Sequence, residues 1–174
     1  AEQALLEAIR QNVEDLEVRR RAVEAIAFSG QAGVRQIIEA AYYSEEEEMR
    51  VSALFAMGRS ADLYWRTLLS EELNNPNPAL RFEAARSCGE LEVSRAVPRL
   101  IEMVFDEPDR EVQQAAVWAL GLIGGSEARE ALETCFESDD EVLSQAAADA
   151  LDEMDLLSSG IIDIPPFEEP DEFE

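Results

Sequence analysis

Apolar residues recur along this chain at helical spacing, and one arrangement of them returns about every 31 residues. The clearest copy, residues 109–124, reads DREVQQAAVWALGLIG. Apolar residues stand three, seven and eleven positions after its first aspartate, and this spacing places them on one face of a helix. The five copies have anchor residues 31, 31, 32 and 30 positions apart: Val18, Met49, Leu80, Val112 and Val142. A period in this range predicts a solenoid of helical repeats.

Each copy also carries signals for the beginning and the end of a helix. Three residues before the anchors stand candidate N-caps: Asp15, Glu46, Asn77, Asp109 and Asp139. Four residues after the anchors an alanine always follows, which indicates a close approach of two helices: Ala22, Ala53, Ala84, Ala116 and Ala146. Nine residues after three anchors stand Gly58, Gly89 and Gly121, which we expect to terminate their helices.

Second helical segments with their own apolar spacing separate these copies. They cover residues 34–43, 63–73, 97–105 and 128–136, and Leu5, Leu6 and Ile9 mark a first such helix at the N-terminus. With short turns between them, the segments predict an all-α fold of about ten helices in five antiparallel pairs. No segment carries the alternating pattern of a strand.

The repeated pattern D-x-x-V-R-x-x-A resembles the second helix of HEAT repeats, in the short form of phycobilisome-lyase-type proteins. Arg19, Arg50 and Arg81 occupy the arginine position, whereas Gln113 and Leu143 depart from it. The resemblance covers residues 1 to about 154 and implies a right-handed α-solenoid (α-α superhelix) of about five HEAT-like hairpins. We interpret the three arginines as a structural ladder that pairs with neighbouring acids.

Residues 155–174 form a different segment, with seven acids, no base and three prolines. Because Pro165 and Pro166 interrupt any helix, we expect an extended acidic tail. The segment could serve only to solubilise or cap the solenoid. Alternatively, Ile164, Phe167 and Phe173 are the anchors of a short binding motif, which would allow self-association through the tail.

Charge narrows the range of partners. The formal net charge is −25, and the bases are 14 arginines with no lysine. Such a chain repels nucleic acids and anionic membranes, so we expect it to bind neither. A basic protein is the partner that the charge favours. The chain carries no membrane-spanning run and only two cysteines, Cys88 and Cys135, which we interpret as buried apolar residues in a cytoplasmic protein.

No residue set predicts catalysis. The chain has no histidine, which removes the usual general base and the histidine-based metal motifs, including those of deoxyhypusine hydroxylase. The glycines near residue 124 lack the lysine of a phosphate-binding loop. We therefore predict a protein that is not an enzyme, with no catalytic residue, no cofactor and no metal.

One face of the repeated helices carries more apolar residues than a solvated surface needs. Positions two, six and ten after each anchor lie opposite the core positions, and in HEAT solenoids these helices line the concave face. The candidate partner-binding residues there are Arg20, Val51, Phe55, Phe82, Arg86, Trp118 and Leu122. Exposed aromatic and arginine residues are typical of interfaces, although curvature of the solenoid could instead bury some of these rings. Arg20, Arg59 and Arg86 make this strip less acidic than the whole chain, which suits a segment with apolar anchors and some acids.

The sequence thus favours a non-enzymatic scaffold that binds a protein or peptide segment on its concave face. The tail of the chain, in the same or a neighbouring molecule, is one candidate occupant. One alternative, suggested only by the family resemblance, is a bilin (tetrapyrrole) lyase or a lyase-associated subunit. Another is an acidic adaptor that binds a basic protein electrostatically, with strong salt dependence.

Overall fold

The computed structural model describes residues 15–29 and 33–159, which contain nine α-helices, two short 3-10 helices and no strand. The all-α prediction is confirmed. The helices are α1 Leu16–Ile26, α2 Val34–Tyr42, α3 Glu47–Arg59, α4 Arg66–Glu72, α5 Pro78–Glu90, α6 Val97–Asp106, α7 Arg110–Ile123, α8 Ser126–Phe136 and α9 Glu141–Ser159. The 3-10 helices, η1 Leu63–Trp65 and η2 Ser94–Ala96, lead into α4 and α6. The predicted helix around Leu5, Leu6 and Ile9 lies outside the described residues.

The helices form two layers. The inner helices α1, α3, α5, α7 and α9 carry the repeated pattern, and each packs beside the next along the chain. The outer helices α2, α4, α6 and α8 each pack against the inner helix that follows, which produces the antiparallel hairpins. The core lies between the layers and includes Ile38, Leu69, Leu100 and Leu132 from the outer helices.

Side-chain caps begin most inner helices as predicted. Asp15 and Asp109 each accept two backbone N–H groups of the following turn, and Asn77 accepts one. Glu46 stands at the N-cap but forms no side-chain cap; its carboxylate instead accepts from Ser44 and Arg19. Together these hydrogen bonds, led by the one from Ser44, lower the pKa of Glu46 to about 2.

The fifth copy is out of the predicted register by one residue. The carboxylate of Asp140, rather than that of Asp139, accepts from the N–H groups of Val142 and Leu143. Leu143 is therefore the anchor and packs against the core, while Val142 is 47% exposed. The alanine four residues later is Ala147, which is fully buried, and the spacing from Val112 becomes 31 residues. Two consecutive aspartates made either register possible in the sequence.

The repeated glycines do not terminate helices, contrary to the prediction. Gly58, Gly89 and Gly121 lie inside α3, α5 and α7. A Cβ at Gly58 would lie 2.6 Å from the Ser87 Oγ and 2.9 Å from the Ser87 Cα. The absence of a side chain therefore allows each inner helix to approach the next one closely.

This close approach distinguishes the inner layer from the outer one. The inner helices contact one another through glycine, alanine and serine, whereas the outer helices make far fewer contacts with each other. Between α6 and α8 lies a depression of about 590 Å³, the outer groove, lined by Pro98, Ile101, Phe105, Glu127, Glu130, Ala131 and Thr134. In a curved solenoid the more closely packed layer lies on the concave side, and we therefore assign the inner helices to that side.

At two positions of the predicted arginine ladder, an inner helix forms an ion pair with the segment that precedes the next inner helix. The Arg19 Nη2 lies 2.9 Å from Glu46 Oε1, and the Arg81 Nη2 lies 2.6 Å from Glu107 Oε1. The guanidinium of Arg50 instead lies over the ring of Tyr42. At the next position along the ladder, Gln113 donates to the carbonyl oxygen of Val104. In the corrected register the last member is Ser144, not Leu143, and its hydroxyl donates to the Phe136 carbonyl.

The last inner helix is longer than the sequence indicated. Helix α9 continues to Ser159, five residues past the predicted boundary at Met154. Met154 itself is buried against the solenoid, so the helix belongs to the repeat unit at that point. The division into a repeat domain and a tail remains a prediction. Ile164, Phe167 and Phe173 lie outside the described residues.

Candidate functional site

The centre of the predicted strip is a depression between α5 and α7, which we call the inner groove. It has a volume of about 570 Å³ and is lined by Phe82, Arg86, Glu111, Gln114, Ala115 and Trp118. Three of these, Phe82, Arg86 and Trp118, are predicted partner-binding residues. The structure thus brings together three of the seven predicted residues.

Trp118 is held in place at the edge of the inner groove. Trp118 is 38% exposed, and the Arg86 guanidinium lies 5.3 Å from the centroid of its ring, within the range of a cation–π contact. The backbone of α5 also lies close to the ring, since a Cβ at Gly89 would lie 3.1 Å from the Trp118 Cζ3. The close backbone of α5 and the stacked guanidinium therefore hold the indole in one position. A large, preordered ring is well suited to act as an interface anchor.

A second group lies on the preceding inner helix. The Arg59 guanidinium lies 5.4 Å from the centroid of the Phe55 ring, and its Nε lies 2.9 Å from Glu90 Oε2 on α5. Arg86 approaches the other oxygen of the same carboxylate at 3.7 Å. Phe55 and Val51 are half-buried, so their side chains are partly available at the surface.

The ends of the predicted strip are separate from this centre. Arg20 lies on α1, where it donates to Glu17 at 2.9 Å and to Ser52 at 3.1 Å. Leu122 borders a different depression near the end of α7, together with Met154 and Leu157 of α9. Because Leu122 and the inner groove belong to different depressions, the seven predicted residues do not form one continuous site.

Each of the three arginines of the strip lies within ion-pair distance of an acid of the chain itself. Arg20 pairs with Glu17, and Arg59 and Arg86 share Glu90. The sequence suggested that these arginines favour acids on the partner. Because Arg59 and Arg86 share one carboxylate, Glu90 matches only one of their two positive charges, and the expectation of acids on the partner stays a prediction.

The sequence interpretation missed Glu83, a buried acid on α5. Glu83 is only 8% exposed, and within the described residues no hydrogen bond or ion pair engages its carboxylate. Burial raises the pKa of this carboxyl to about 7. A signal was present in the repeat: the same position holds the small residues Ser52 and Ala115 in the neighbouring copies. A glutamate at a position where the neighbouring copies have small packed residues is an exception to the repeat and marks Glu83 as unusual.

Other chemically active groups of the described chain offer no second site. Cys88 and Cys135 are buried as predicted, and burial raises the pKa of their thiols to about 12 and about 11. Residues 15–29 and 33–159 hold no cluster of three or more His, Cys, Asp or Glu placed to bind a metal ion. In the same residues no helix is both long and apolar enough to span a bilayer.

The fold and its concave face define a helical repeat solenoid with a surface groove. A family model described as HEAT repeats matches residues 66–152, half of the chain. The chain belongs to the HEAT-repeat family, as its repeated motif suggested. No match was found among curated protein sequences.

Solved structures share this fold at low sequence identity. The complex of CpcE and CpcF of phycocyanin lyase from Nostoc aligns with a TM-score of 0.69 at 21% identity, over 88% of this chain and 65% of that chain. A designed armadillo repeat protein in complex with the peptide (KR)4 aligns with a TM-score of 0.62 at 20% identity, covering 86% and 80%. Human deoxyhypusine hydroxylase in complex with glycerol gives 0.54 at 17% identity, covering 90% and 74%. At these identities the likeness concerns the fold alone.

Proposed function

We propose that this protein is a non-enzymatic interaction module that binds a segment of a partner protein on the concave face formed by its inner helices. The observation that carries the proposal is the inner groove, where the partly exposed Trp118 and Phe82 line an open depression beside Arg86. Clustered aromatic residues with an adjacent arginine are typical of the energetic centre of protein interfaces. The outer groove is apolar as well, so variants of the outer helices serve as the control for variants of the inner groove.

A pair of matched double variants tests this proposal. Peptides selected from a random displayed library on the wild-type chain are the probes. Phe82→Ala with Trp118→Ala should weaken their binding by at least about tenfold, because each ring is a candidate hot spot. Phe105→Ala with Phe136→Ala removes two exposed rings of the outer helices and should leave the affinity unchanged. Circular dichroism of both variants establishes that helicity is retained. Binding that survives the first pair and is lost with the second would place the site on the outer helices.

Basic partners are compatible with this face. The net charge of −25 raises the local concentration of cations and accelerates their association. The designed armadillo protein of similar fold holds the basic peptide (KR)4, so a helical-repeat surface can accommodate such a ligand. An adaptor for a basic protein is thus a narrower form of the same proposal, and steep salt dependence of binding would support it.

A bilin lyase or lyase-associated subunit is a second candidate, favoured by the structural likeness to the phycocyanin lyase complex. In that case the inner groove would hold a tetrapyrrole against Trp118. Titration of the protein into a bilin solution tests it directly, because binding would shift the visible absorbance. An unchanged spectrum would eliminate this candidate.

Self-association through the acidic tail is a further candidate, and it rests on the sequence alone. Ile164, Phe167 and Phe173 would be the anchors in a neighbouring molecule. Light scattering of the full chain and of a chain ending at Ser159 tests the idea. A dimer that becomes monomeric on truncation supports it, and the same number of chains per particle before and after truncation contradicts it.

A further inference from the structure

The position of Glu83 in the repeat places it beneath the concave face, between two inner helices. The equivalent residue of the preceding repeat, Ser52, exchanges hydrogen bonds with Arg20 and Glu24, two residues of the inner face of α1. The equivalent residue of the following repeat, Ala115, lines the inner groove. Glu83 therefore lies between α3 and α5 at the same depth, one repeat from each.

What differs at Glu83 is the absence of partners. In the position of Arg20 and Glu24, which engage Ser52, helix α3 carries the apolar Val51 and Phe55. Arg86 and Arg59, the two cations in the electrostatic environment of Glu83, lie within ion-pair distance of the shared Glu90 and not of Glu83. A largely buried carboxyl group without a hydrogen-bond or ion-pair partner is costly, and such groups cluster at functional sites.

Charge complementarity then identifies the missing partner group. The charges around Glu83 are those of Arg86 and Arg59 and of the carboxylates of Glu90 and Glu24, and the chain as a whole is strongly acidic. A cation that enters between α3 and α5 would compensate Glu83 without displacing any existing ion pair. The apolar surfaces of Val51, Phe55 and Phe82 on either side would cover the stem of an arginine or lysine side chain.

We propose that the concave face binds a partner segment in which cationic residues adjoin apolar ones, with one cation pairing with Glu83 and an apolar residue occupying the inner groove beside Trp118. This inference rests on the proposed function, since it specifies the chemistry of the segment that the face receives. It assigns Glu83 as the residue that determines specificity for a cation. It assigns Phe82 and Trp118 to affinity for the apolar part.

Two defined peptides and three variants of the full chain test this assignment. The probes are a fluorescent peptide of repeated Arg-Arg-Leu-Leu units and the same peptide with citrulline, an uncharged isostere, in place of arginine. We expect the wild-type chain to bind the arginine peptide at least about tenfold more tightly than the citrulline peptide. Glu83→Gln should remove most of this preference. Glu130→Gln removes one exposed carboxylate of an outer helix and should preserve the preference for the arginine peptide. Because both variants lose one negative charge, a difference between them reports the position of Glu83 and not the net charge.

The third variant separates failure of this inference from failure of the proposed function. Phe82→Ala with Trp118→Ala should weaken both peptides. If Glu83→Gln and Glu130→Gln lower the affinity for the arginine peptide equally, Glu83 is not the counter-ion and the inference is overturned, while loss of binding in the aromatic variant still supports the groove. If the aromatic variant also binds normally, the proposed function fails as well. Absence of measurable binding for the arginine peptide overturns the inference outright.

Discussion

A Cβ atom at Gly121 would lie 2.9 Å from the carbonyl oxygen of Ala150 and 3.0 Å from its Cα. The contact joins α7 to α9, and Gly58 and Gly89 stand at the equivalent contacts to the next inner helix. Since the backbone of the neighbouring helix cannot withdraw as a flexible side chain can, these glycines set the spacing of the inner layer. The concave face therefore depends on residues whose contribution is the lack of a side chain.

Substitution of Gly121 by alanine should destabilise the protein in spite of the better helix propensity of alanine. The overpacking costs about 1–3 kcal/mol, and the propensity gain offsets at most about 1 kcal/mol of it. Urea denaturation measures the net loss. Gln36→Ala, at an exposed position of α2, should change stability by less than about 0.5 kcal/mol. A stability gain for Gly121→Ala would show that the inner helices are not held at this spacing.

The Arg81–Glu107 pair should contribute more than the surface ion pairs. Its atoms lie 2.6 Å apart and the Glu107 side chain is only 3% exposed, so removing its charge leaves Arg81 partly uncompensated. Glu107→Gln should lower the free energy of unfolding by about 2 kcal/mol. Glu102→Gln breaks the exposed pair with Arg99 and should cost less than about 1 kcal/mol. Equal losses for the two variants would contradict a structural role for the ladder.

Glu83 should make the stability of the free protein depend on pH. Because its folded-state pKa is raised from 4.5 to about 7, the folded chain binds more protons than the unfolded chain between these values. Stability due to Glu83 is therefore full below about pH 4.5 and is lost as the pH rises toward about 7. Over this window the Glu83→Gln variant should gain up to roughly 3 kcal/mol relative to wild type.

Denaturation curves of both proteins at a series of pH values measure this difference. The other carboxyl groups are the same in both chains, so their contribution to the pH dependence of stability drops out of the comparison. Glu130→Gln is the matched control and should follow the wild-type curve. A Glu83→Gln difference that stays constant with pH would mean that the carboxyl is not buried in solution.

Periodicity predicted the fold because each repeat buries the same face in the same way. Ala53, Ala84 and Ala116 recur in register and are buried, so the spacing alone identified the inner helices. The errors occurred where local signals were equivalent. Asp139 and Asp140 are both competent N-caps, and only packing of Leu143 rather than Val142 decides between them. Glycines near a helix end are also interpreted as helix terminators, because the sequence does not show the neighbouring helix that packs against them.

The candidate site was predicted only in part, because helical spacing shows which residues share a face but not what they contact on other helices. Helical geometry assigns Phe82 and Trp118 to one face, and the structure places both in the inner groove. Helical geometry also places Arg86 four residues before Glu90, but it could not indicate that Arg59 joins the same carboxylate, since that contact depends on the distance between α3 and α5. Nor could it establish that Glu83 lacks a partner, because an unsatisfied group is recognised only when all its neighbours are known.

The two tryptophans permit the most direct test of the concave binding face. Trp118 borders the inner groove, whereas Trp65 is buried in the core at 1% exposure and serves as an internal reference. In a proton–nitrogen correlation spectrum each indole N–H gives one signal, and a library-selected peptide can be titrated while both are followed. We predict that the Trp118 signal shifts with saturation and that the Trp65 signal stays in place. A saturating titration that leaves Trp118 unmoved while backbone signals of Ile101, Phe105 and Ala131 shift would contradict the account and assign binding to the outer groove.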